Sequence, residues 1–425
     1  MTTTTAEPAS AAPPPTQRCG IDLVEIARIE RLLRDHAPAD LLRFFTAQEL
    51  ADAGDGEGRA ASLAARFAAK EACVKLFPRE AALMQIEPHD FSIVRDAYGA
   101  PRAVLGPRAE LLAARHRLGP ISISLTHDRT SASAVAITQP AVPAVSLAGK
   151  LIYHLLPLRR RVILDNLRRV YGETVDEPGM VALAQAHYGH LRQLFGEFLR
   201  FRWLSLEAQR AMVRIENLEA FVAAYDQGKG VLLLTGHFGN WEVATVAGIG
   251  GFPHMRGRFH FVRRALKPEW FDRLVTRRFQ KAGFGVLPKR GSLDQMLDRL
   301  AQGDAIVFAF DQHANPPDGI PVDFFGTPAW TFKSLAIIAL ATGAPVLPAT
   351  SWREGNGRHV LRFEAPVPAI DAASANDAIR LTTRAYNAAI EGLVLRRPEQ
   401  WYWVHRRWKS VATGARRRKL HVASA

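Results

Sequence analysis

From Val231 onward, short apolar runs alternate with amphipathic stretches, and this alternation restricts the architectures open to the chain more than any other feature. Val231–Thr235 is apolar at four successive positions. A strand buried on both faces needs that pattern, whereas a half-exposed strand would alternate. Trp241–Gly248 then reads as a helix, Phe259–Val262 as a strand and Trp270–Ala282 as a helix. Gly285–Leu287, Leu293–Gln302 and Ala305–Phe310 continue as strand, helix and strand. Strands separated by helices predict an α/β domain with a mostly parallel sheet. The longest apolar stretch, Ser334 to Ala349, is interrupted by Gly343, Pro345 and Pro348. It falls short of the ~20 clean apolar residues of a membrane span and predicts a buried helix followed by a strand.

The front third has a different rhythm. Cys19–Val24 predicts a strand, Ile26–His36 a helix and Asp55–Arg59 a glycine-rich loop. Leu63–Leu76 has the spacing of a strong amphipathic helix. Phe91–Val94, Ala103–Leu105, Ile121–Leu125 and Ser133–Ile137 read as strands, with a turn at Ala97-Tyr98-Gly99. This is a compact α+β pattern. Leu151–Tyr171 reads as a basic helix carrying Arg159, Arg160 and Arg161 in a row, and Ala182–Trp203 as a second amphipathic helix. The 425 residues suit two or three domains. The expected organisation is a disordered leader over 1–17, an α+β domain over 18–139 and a linker over 140–150. An α/β domain over 151–410 and a basic tail over 411–425 complete it.

Charge divides along the same line. The chain carries a net +14. Residues 1–145 hold 16 basic and 17 acidic residues, so the whole excess lies behind them. A domain this basic favours anionic partners: a lipid headgroup surface, an acidic carrier protein or nucleic acid. No recognised nucleic-acid motif accompanies the charge, so nucleic acid is not an expected partner. Cys19 and Cys73 have no metal-ligand spacing. Both are expected to pack as small apolar residues, in a reducing compartment. The Thr-, Ala- and Pro-rich start lacks the basic and hydrophobic regions of a secretory signal.

Three front segments carry candidate chemistry. Gly20-Ile21-Asp22-Leu23-Val24-Glu25 puts an acid near the end of the first strand. In Arg66-Phe67-Ala68-Ala69-Lys70-Glu71-Ala72-Cys73-Val74-Lys75, Glu71 and Lys75 are four apart and share a helix face. In isolation that pair is as readily a solvated ion pair. Ser122-Ile123-Ser124-Leu125-Thr126-His127-Asp128 is a strand ending in polar groups. Together with Phe45-Thr46-Ala47-Gln48-Glu49 and Asp96-Ala97-Tyr98-Gly99-Ala100-Pro101, these segments resemble the holo-acyl-carrier-protein synthase type of 4'-phosphopantetheinyl transferase from about Cys19 to Thr138. The resemblance implies transfer of phosphopantetheine from coenzyme A to a carrier-protein serine. It implies Mg2+ on Asp22 and Glu71, hard oxygen ligands that suit the ion beside a diphosphate. It gives Lys75 as the cation that offsets phosphoryl charge. Arg66, Lys75, Ser124 and His127 become coenzyme contacts, and Arg28 a contact to the acidic carrier protein. Members of this family usually form trimers with sites at subunit interfaces.

The second constellation is Gly228-Lys229-Gly230-Val231-Leu232-Leu233-Leu234-Thr235-Gly236-His237-Phe238-Gly239-Asn240-Trp241-Glu242. A buried strand ends in glycine and His237, with Glu242 five residues on. A carboxylate there would orient the imidazole and stabilise its protonated form. A lone histidine at a helix start is more often only a satisfied polar group. Asp165-Asn166-Leu167, Asp311-Gln312, Pro321-Val322-Asp323-Phe324-Phe325-Gly326-Thr327-Pro328-Ala329 and Pro398-Glu399-Gln400-Trp401-Tyr402-Trp403 add to it. From about Leu151 to Lys409 the chain resembles the lipid A biosynthesis lauroyl/myristoyl acyltransferase family. That implies His237 as general base with Glu242 as its partner. Asp311 would line the site, and Arg278 would contact an oxyanion or phosphate, with Arg290 as its rival. Phe324 and Phe325 suit either the core or an acyl-pocket wall. The family usually begins with a transmembrane anchor. Here the front domain and linker occupy that place, and Leu151–Arg169 is the expected peripheral membrane contact.

The joint expectation is a bifunctional transferase. The front primes an acyl carrier protein. The back moves an acyl chain from a carrier thioester to a membrane lipid or glycolipid at the cytoplasmic face of the inner membrane, in a dedicated polyketide-like or aryl-polyene-like lipid pathway. The alternative is an acyltransferase whose front domain only docks the carrier.

Overall fold

The computed structural model describes residues 17–409, apart from 84, 142, 157, 173, 202, 249–254, 266 and 290; side chains at 206, 246–248, 271, 278 and 356 are likewise outside the description. The expected leader (save its last residue) and the basic tail therefore lie outside it. The chain divides into two compact units. One comprises Met1–Pro143 with Tyr171–Met180, the other Ala144–Val170 with Val181–Ala425.

In the first unit, β1 (Arg18–Glu25) is followed by helix Ile26–Asp35, and a long helix spans Arg59–Val74. β2 (Phe91–Arg95) pairs antiparallel with β3 (Pro101–Leu105). β4 (Leu118–His127) and β5 (Ser131–Pro140) form an antiparallel hairpin, and β1 lies on the other side of β5. The helix Arg59–Val74 packs against this sheet. Its alanines Ala64, Ala68, Ala69 and Ala72 are fully buried, which lets strand and helix approach closely. Gly20 marks the closest approach: a Cβ there would stand 2.0 Å from the Ala72 carbonyl oxygen. Strand alternation then turns the flanking Cys19, Ile21 and Leu23 outward, so Cys19 is exposed. The expectation that both cysteines are packed holds for Cys73 and fails for Cys19.

A buried ion pair anchors this unit. Glu49 and Lys70 are both fully buried, with Lys70 Nζ 2.7 Å from Glu49 Oε2. Glu49 Oε2 also accepts from the Thr46 amide (2.8 Å), and Oε1 from the Ile93 amide (2.8 Å). Lys70 donates to the Phe44 carbonyl (2.8 Å). The Thr46 side chain caps helix Ala47–Ala53 in return, a box that the Thr-x-x-Glu spacing encodes.

The second unit is built on a seven-stranded sheet. β6 (Val213–Glu216), β7 (Val231–Thr235), β8 (Phe259–Arg263), β9 (Phe284–Pro288) and β10 (Ala305–Ala309) enter it first. A hairpin, β11 (Gly319–Phe324) and β12 (Thr327–Phe332), stands apart. β13 (Val346–Arg353) and β14 (His359–Phe363) return to the main sheet, whose order is β6-β14-β13-β7-β10-β8-β9. Every ladder is parallel except β13/β14, as the alternation predicted. β7 is central, and Val231 to Leu234 are buried. Helix Ser334–Thr342 precedes β13, so the longest apolar stretch is helix then strand. Among the described residues no helix is long and apolar enough to cross a membrane. The expected helix over 151–171 is two helices, Leu147–Leu155 and Arg160–Tyr171.

Lys70→Met leaves Glu49 buried without its cation. It should destabilise the first unit by about 3–5 kcal/mol, while adding Glu49→Gln should recover part of that loss. Hydrogen exchange of the Arg59–Val74 amides in rising urea checks this. Unchanged protection in the single variant would contradict the anchoring role.

Candidate functional site

The parallel register of β7 and β10 builds the site in the second unit. Thr235 pairs with Ala309. Two residues beyond each, His237 and Asp311 therefore leave the same sheet edge side by side. This is the carboxyl edge, where open α/β sheets bind ligands. His237 Nδ1 lies 2.9 Å from Asp311 Oδ1, and the His237 amide donates to Asp311 Oδ2 at 2.8 Å. Trp401 Nε1 donates to the same Oδ2 at 2.9 Å. Gly236 is required between strand and histidine, because a Cβ there would come within 2.8 Å of the Asp311 carboxyl carbon.

The C-terminal segment holds this pair. The Tyr402 amide donates to the His237 carbonyl (3.1 Å), and the Gly239 amide to the Gln400 carbonyl (3.0 Å). Asn166 is buried and donates to the Trp403 and His405 carbonyls, each at 2.8 Å. His187 bonds the Glu399 carbonyl at 3.1 Å. Asn240 donates to Glu197 at 2.9 Å, and Arg353 grips both oxygens of Glu197. The Asp165–Leu167 and Pro398–Trp403 motifs thus fix the loop that carries His237.

Electrostatics follow from burial. Burial alone would raise the Asp311 pKa. The His237 charge and hydrogen bonds, with Trp401, outweigh it and hold Asp311 at about 2. Burial lowers the His237 pKa, but Asp311 overcomes this and the opposing Lys289 charge, so the net shift is upward. An ionised Asp311 fixes the proton on Nδ1 and leaves the Nε2 lone pair as acceptor. Gln312 Nε2 stands 3.3 Å from it.

His237 opens into a cavity of about 1030 Å³. Its interior is apolar: Leu233, Phe261, Phe279, Phe284, Val307 and Phe363 line it. Its outer wall carries Arg159, Arg264, Arg406 and Lys409, all exposed, and no carboxylate lines it among the described residues. The arrangement can take a proton from a hydroxyl beside a long apolar chain and an anionic group.

Glu242 lies in the first turn of helix Trp241–Gly248 and makes no hydrogen bond to His237. The carboxylate on the imidazole is Asp311 instead, brought there by strand register and not by local spacing. Phe324 is fully buried against Trp401 and Trp408, and neither Phe324 nor Phe325 lines the cavity. The Arg278 side chain and all of Arg290 lie outside the described residues. Sequence reading missed Trp401 as a donor to Asp311, and the Asn240–Glu197–Arg353 support. The Trp401-Tyr402-Trp403 string was the available signal.

In the first unit, β1, helix Ile26–Asp35 and the end of helix Arg59–Val74 bring four expected residues together. Lys75 Nζ donates to Asp22 Oδ1 and to the Ile21 carbonyl, each at 2.8 Å. Burial first, then the Asp22 charge, raise the Glu71 pKa, with Lys75 and Arg28 opposing. Asp22 and Glu71 are therefore like charges in close reach, a pair that a divalent cation would relieve. Arg28 is exposed, with its guanidinium 5.4 Å from the Phe67 ring centroid. Ser124 and His127 are exposed on β4, across β5 from β1, and do not join the cluster. Arg66 is buried and bonded to Ser62, with Asp52 at 4.0 Å. It faces away from the cluster, five residues before Glu71 on the helix.

Asp311→Asn should lower transfer by roughly 10²–10⁴-fold. A general base works only when unprotonated, so with His237 in that role activity should fall as pH drops through its pKa. Without the Asp311 charge that pKa falls, and the acid limb of the kcat/KM profile should move to lower pH. Glu242→Gln should leave the limb in place. A limb that moves with Glu242 and not with Asp311 would reverse the assignment.

Residues 138–410 match the bacterial lipid A biosynthesis acyltransferase family, and residues 18–135 the 4'-phosphopantetheinyl transferase superfamily. A protein of Mycobacterium tuberculosis named phosphatidylinositol mannoside acyltransferase is 28% identical over 264 residues, which cover 60% of this chain and 79% of that protein. The holo-[acyl-carrier-protein] synthase of Moorella thermoacetica is 42% identical over 120 residues, 28% of this chain and 91% of that one. The Helicobacter pylori holo-[acyl-carrier-protein] synthase, solved in complex with coenzyme A, is 27% identical and covers 28% of this chain and 99% of its own, with a TM-score of 0.24. The chain is thus a transferase that belongs to the bacterial lipid A biosynthesis acyltransferase family and carries at its front a domain of the holo-[acyl-carrier-protein] synthase family.

Proposed function

We propose that the chain loads phosphopantetheine from coenzyme A onto a carrier-protein serine, and moves an acyl chain from a carrier thioester to a hydroxyl of a membrane lipid or glycolipid. In this reading the front reaction belongs to a domain over 18–139 and the back reaction to one over 151–410. The observation that carries the acyl-transfer reading is the His237–Asp311 pair opening into a cavity that is apolar inside and cationic outside. His237 Nε2 takes the proton of the acceptor hydroxyl. The oxygen bonds to the thioester carbonyl carbon, the carbon–sulfur bond breaks, and the leaving thiolate takes the proton back from the imidazolium. Asp311 stabilises that imidazolium throughout. The relative named phosphatidylinositol mannoside acyltransferase supports a glycolipid acceptor.

In the front domain, Asp22 and Glu71 would hold Mg2+, and water and diphosphate oxygens would complete its shell. Bound there, the ion would offset negative charge on the diphosphate. Lys75 adds a cation on the same side, and Arg28 offers an exposed guanidinium to an acidic carrier. Leu147, Leu151 and Leu155 recur every four residues and are 74, 50 and 72% exposed, followed by Leu158 at 71%. With Arg159, Arg160 and Arg161 beside them, they suit peripheral binding to an anionic bilayer, here the cytoplasmic face of the inner membrane. The joining of the two domains favours one dedicated lipid pathway.

Mass spectrometry of an apo carrier protein incubated with the chain, coenzyme A and Mg2+ tests the front reaction. The carrier should gain the phosphopantetheine mass, and Glu71→Ala should abolish the gain. The acylated carrier then tests the back reaction, with phosphatidylinositol mannoside as acceptor and His237→Ala as control. Priming absent with several carriers would leave the front domain as a docking module.

A further inference from the structure

A second cavity of about 280 Å³ lies on the other face of the main sheet. Alternation along β10 separates the two: Val307 lines the large cavity, whereas Phe308 and Phe310 line the small one. Helices Leu293–Ala301 and Ser334–Thr342 cover it, contributing Met296 and Ile337, and Phe332 closes one side. The two cavities share Val262, Lys289 and Ala309. These stand at the carboxyl ends of β8, β9 and β10, the edge from which His237 projects. The junction is cationic. Lys289 Nζ lies 3.5 Å from the Phe332 ring centroid, and its charge acts on His237. Leu293, half exposed, lines the side open to solvent.

The dimensions and walls select a ligand class. A cavity of about 150 Å³ holds benzene, so this one has room for an alkyl segment on the order of ten carbons. The walls are mostly aromatic and aliphatic, which favours hydrocarbon over a sugar or a nucleotide. A donor chain lying along the large cavity leaves the one across the sheet open to a second chain. A lipid acceptor reaching His237 from the shared edge brings a chain of its own.

We propose that the small cavity seats the end of a hydrocarbon chain of the acceptor, so that His237 acts on an acceptor lipid that already carries an alkyl chain. This rests on the acyl-transfer reading for the identity of the two substrates. The donor chain lies along one face of the sheet and the acceptor chain enters the other. The reacting hydroxyl and thioester meet at the edge between them.

Photolabelling of the full-length protein tests it without relying on turnover. The acceptor probe is phosphatidylinositol with one diazirine-bearing chain, and the donor probe is a diazirine-bearing palmitoyl-coenzyme A. Peptides are mapped by mass spectrometry after irradiation. The acceptor probe should label Leu293–Ala301 and Ser334–Thr342, and the donor probe Glu269–Lys281. Ile337→Trp fills the cavity and Leu293→Asp charges its entrance. Each should lower acceptor labelling roughly fivefold or more, as expected when one or two methylenes lose their burial, and leave donor labelling unchanged. Thermal unfolding matching the parent qualifies each variant. Donor label in the small cavity would overturn the proposal by making that cavity an extension of the donor site. Acceptor label confined to the large cavity, or unchanged in both variants, or absent, would also overturn it. Labelling as expected without any His237-dependent transfer would instead sink the catalytic reading and leave the two chain sites standing.

Discussion

The register of one parallel strand pair governs the geometry of the second unit's candidate site. Thr235 opposite Ala309 places His237 beside Asp311 as the two strands end. A slip of either strand by one residue would turn its side chain away from the other, because side chains alternate with a period of two. The surrounding structure secures that register. Buried Val231 to Leu234 fix β7 between β13 and β10. Trp401 fills the remaining side of Asp311, and Asn166 holds the carbonyls of the segment that carries Trp401. A fully buried carboxylate with three donors stays ionised, and its charge acts on the His237 imidazole and, beyond it, on His405 and Arg407.

The front unit solves a similar problem by different means. Its acidic pair is assembled between a strand and the end of a helix, and the contact depends on the absence of a side chain at Gly20. Small alanines on the helix make the approach possible. The Glu49–Lys70 pair then ties that helix to β2 through the Ile93 amide and to the turn at Phe44. Burying a bare charge is costly, so each partner is supplied with further hydrogen bonds. The exposed Arg28 and Lys75 and the half-buried Asp22 and Glu71 therefore sit on a scaffold whose rigidity comes from elsewhere.

The large cavity uses side chains that would otherwise form solid core. Phe259, Phe284, Val307 and Phe363 belong to the hydrophobic cluster on one face of the sheet, and they also line the cavity. Space for a hydrocarbon is thus built into the core, and a bound chain would restore contacts that a void forgoes. The cationic residues stand outside, where they remain hydrated. Separation of apolar interior and charged rim suits a ligand with a long tail and an anionic head.

Much was legible in the residues themselves. Periodicity predicted the α+β front, the strand–helix alternation and the helix–strand reading of Ser334–Ala349, since hydrophobic pattern and caps act over a few neighbouring residues. Glycine before His237, Asp311 at a strand end and the Glu71–Lys75 spacing marked candidate positions for the same reason. Local spacing also suggested Glu242 for the imidazole, made both cysteines look packed, and left Phe324 and Phe325 undecided. The tertiary structure decided these. Asp311 meets His237 across 74 positions of chain because strand pairing is a nonlocal choice. Cys19 faces outward because Gly20 must face the helix. Phe324 is core because Trp401 and Trp408 return to cover it. The cavities likewise have no signature along the chain: they are what remains between elements once each has packed.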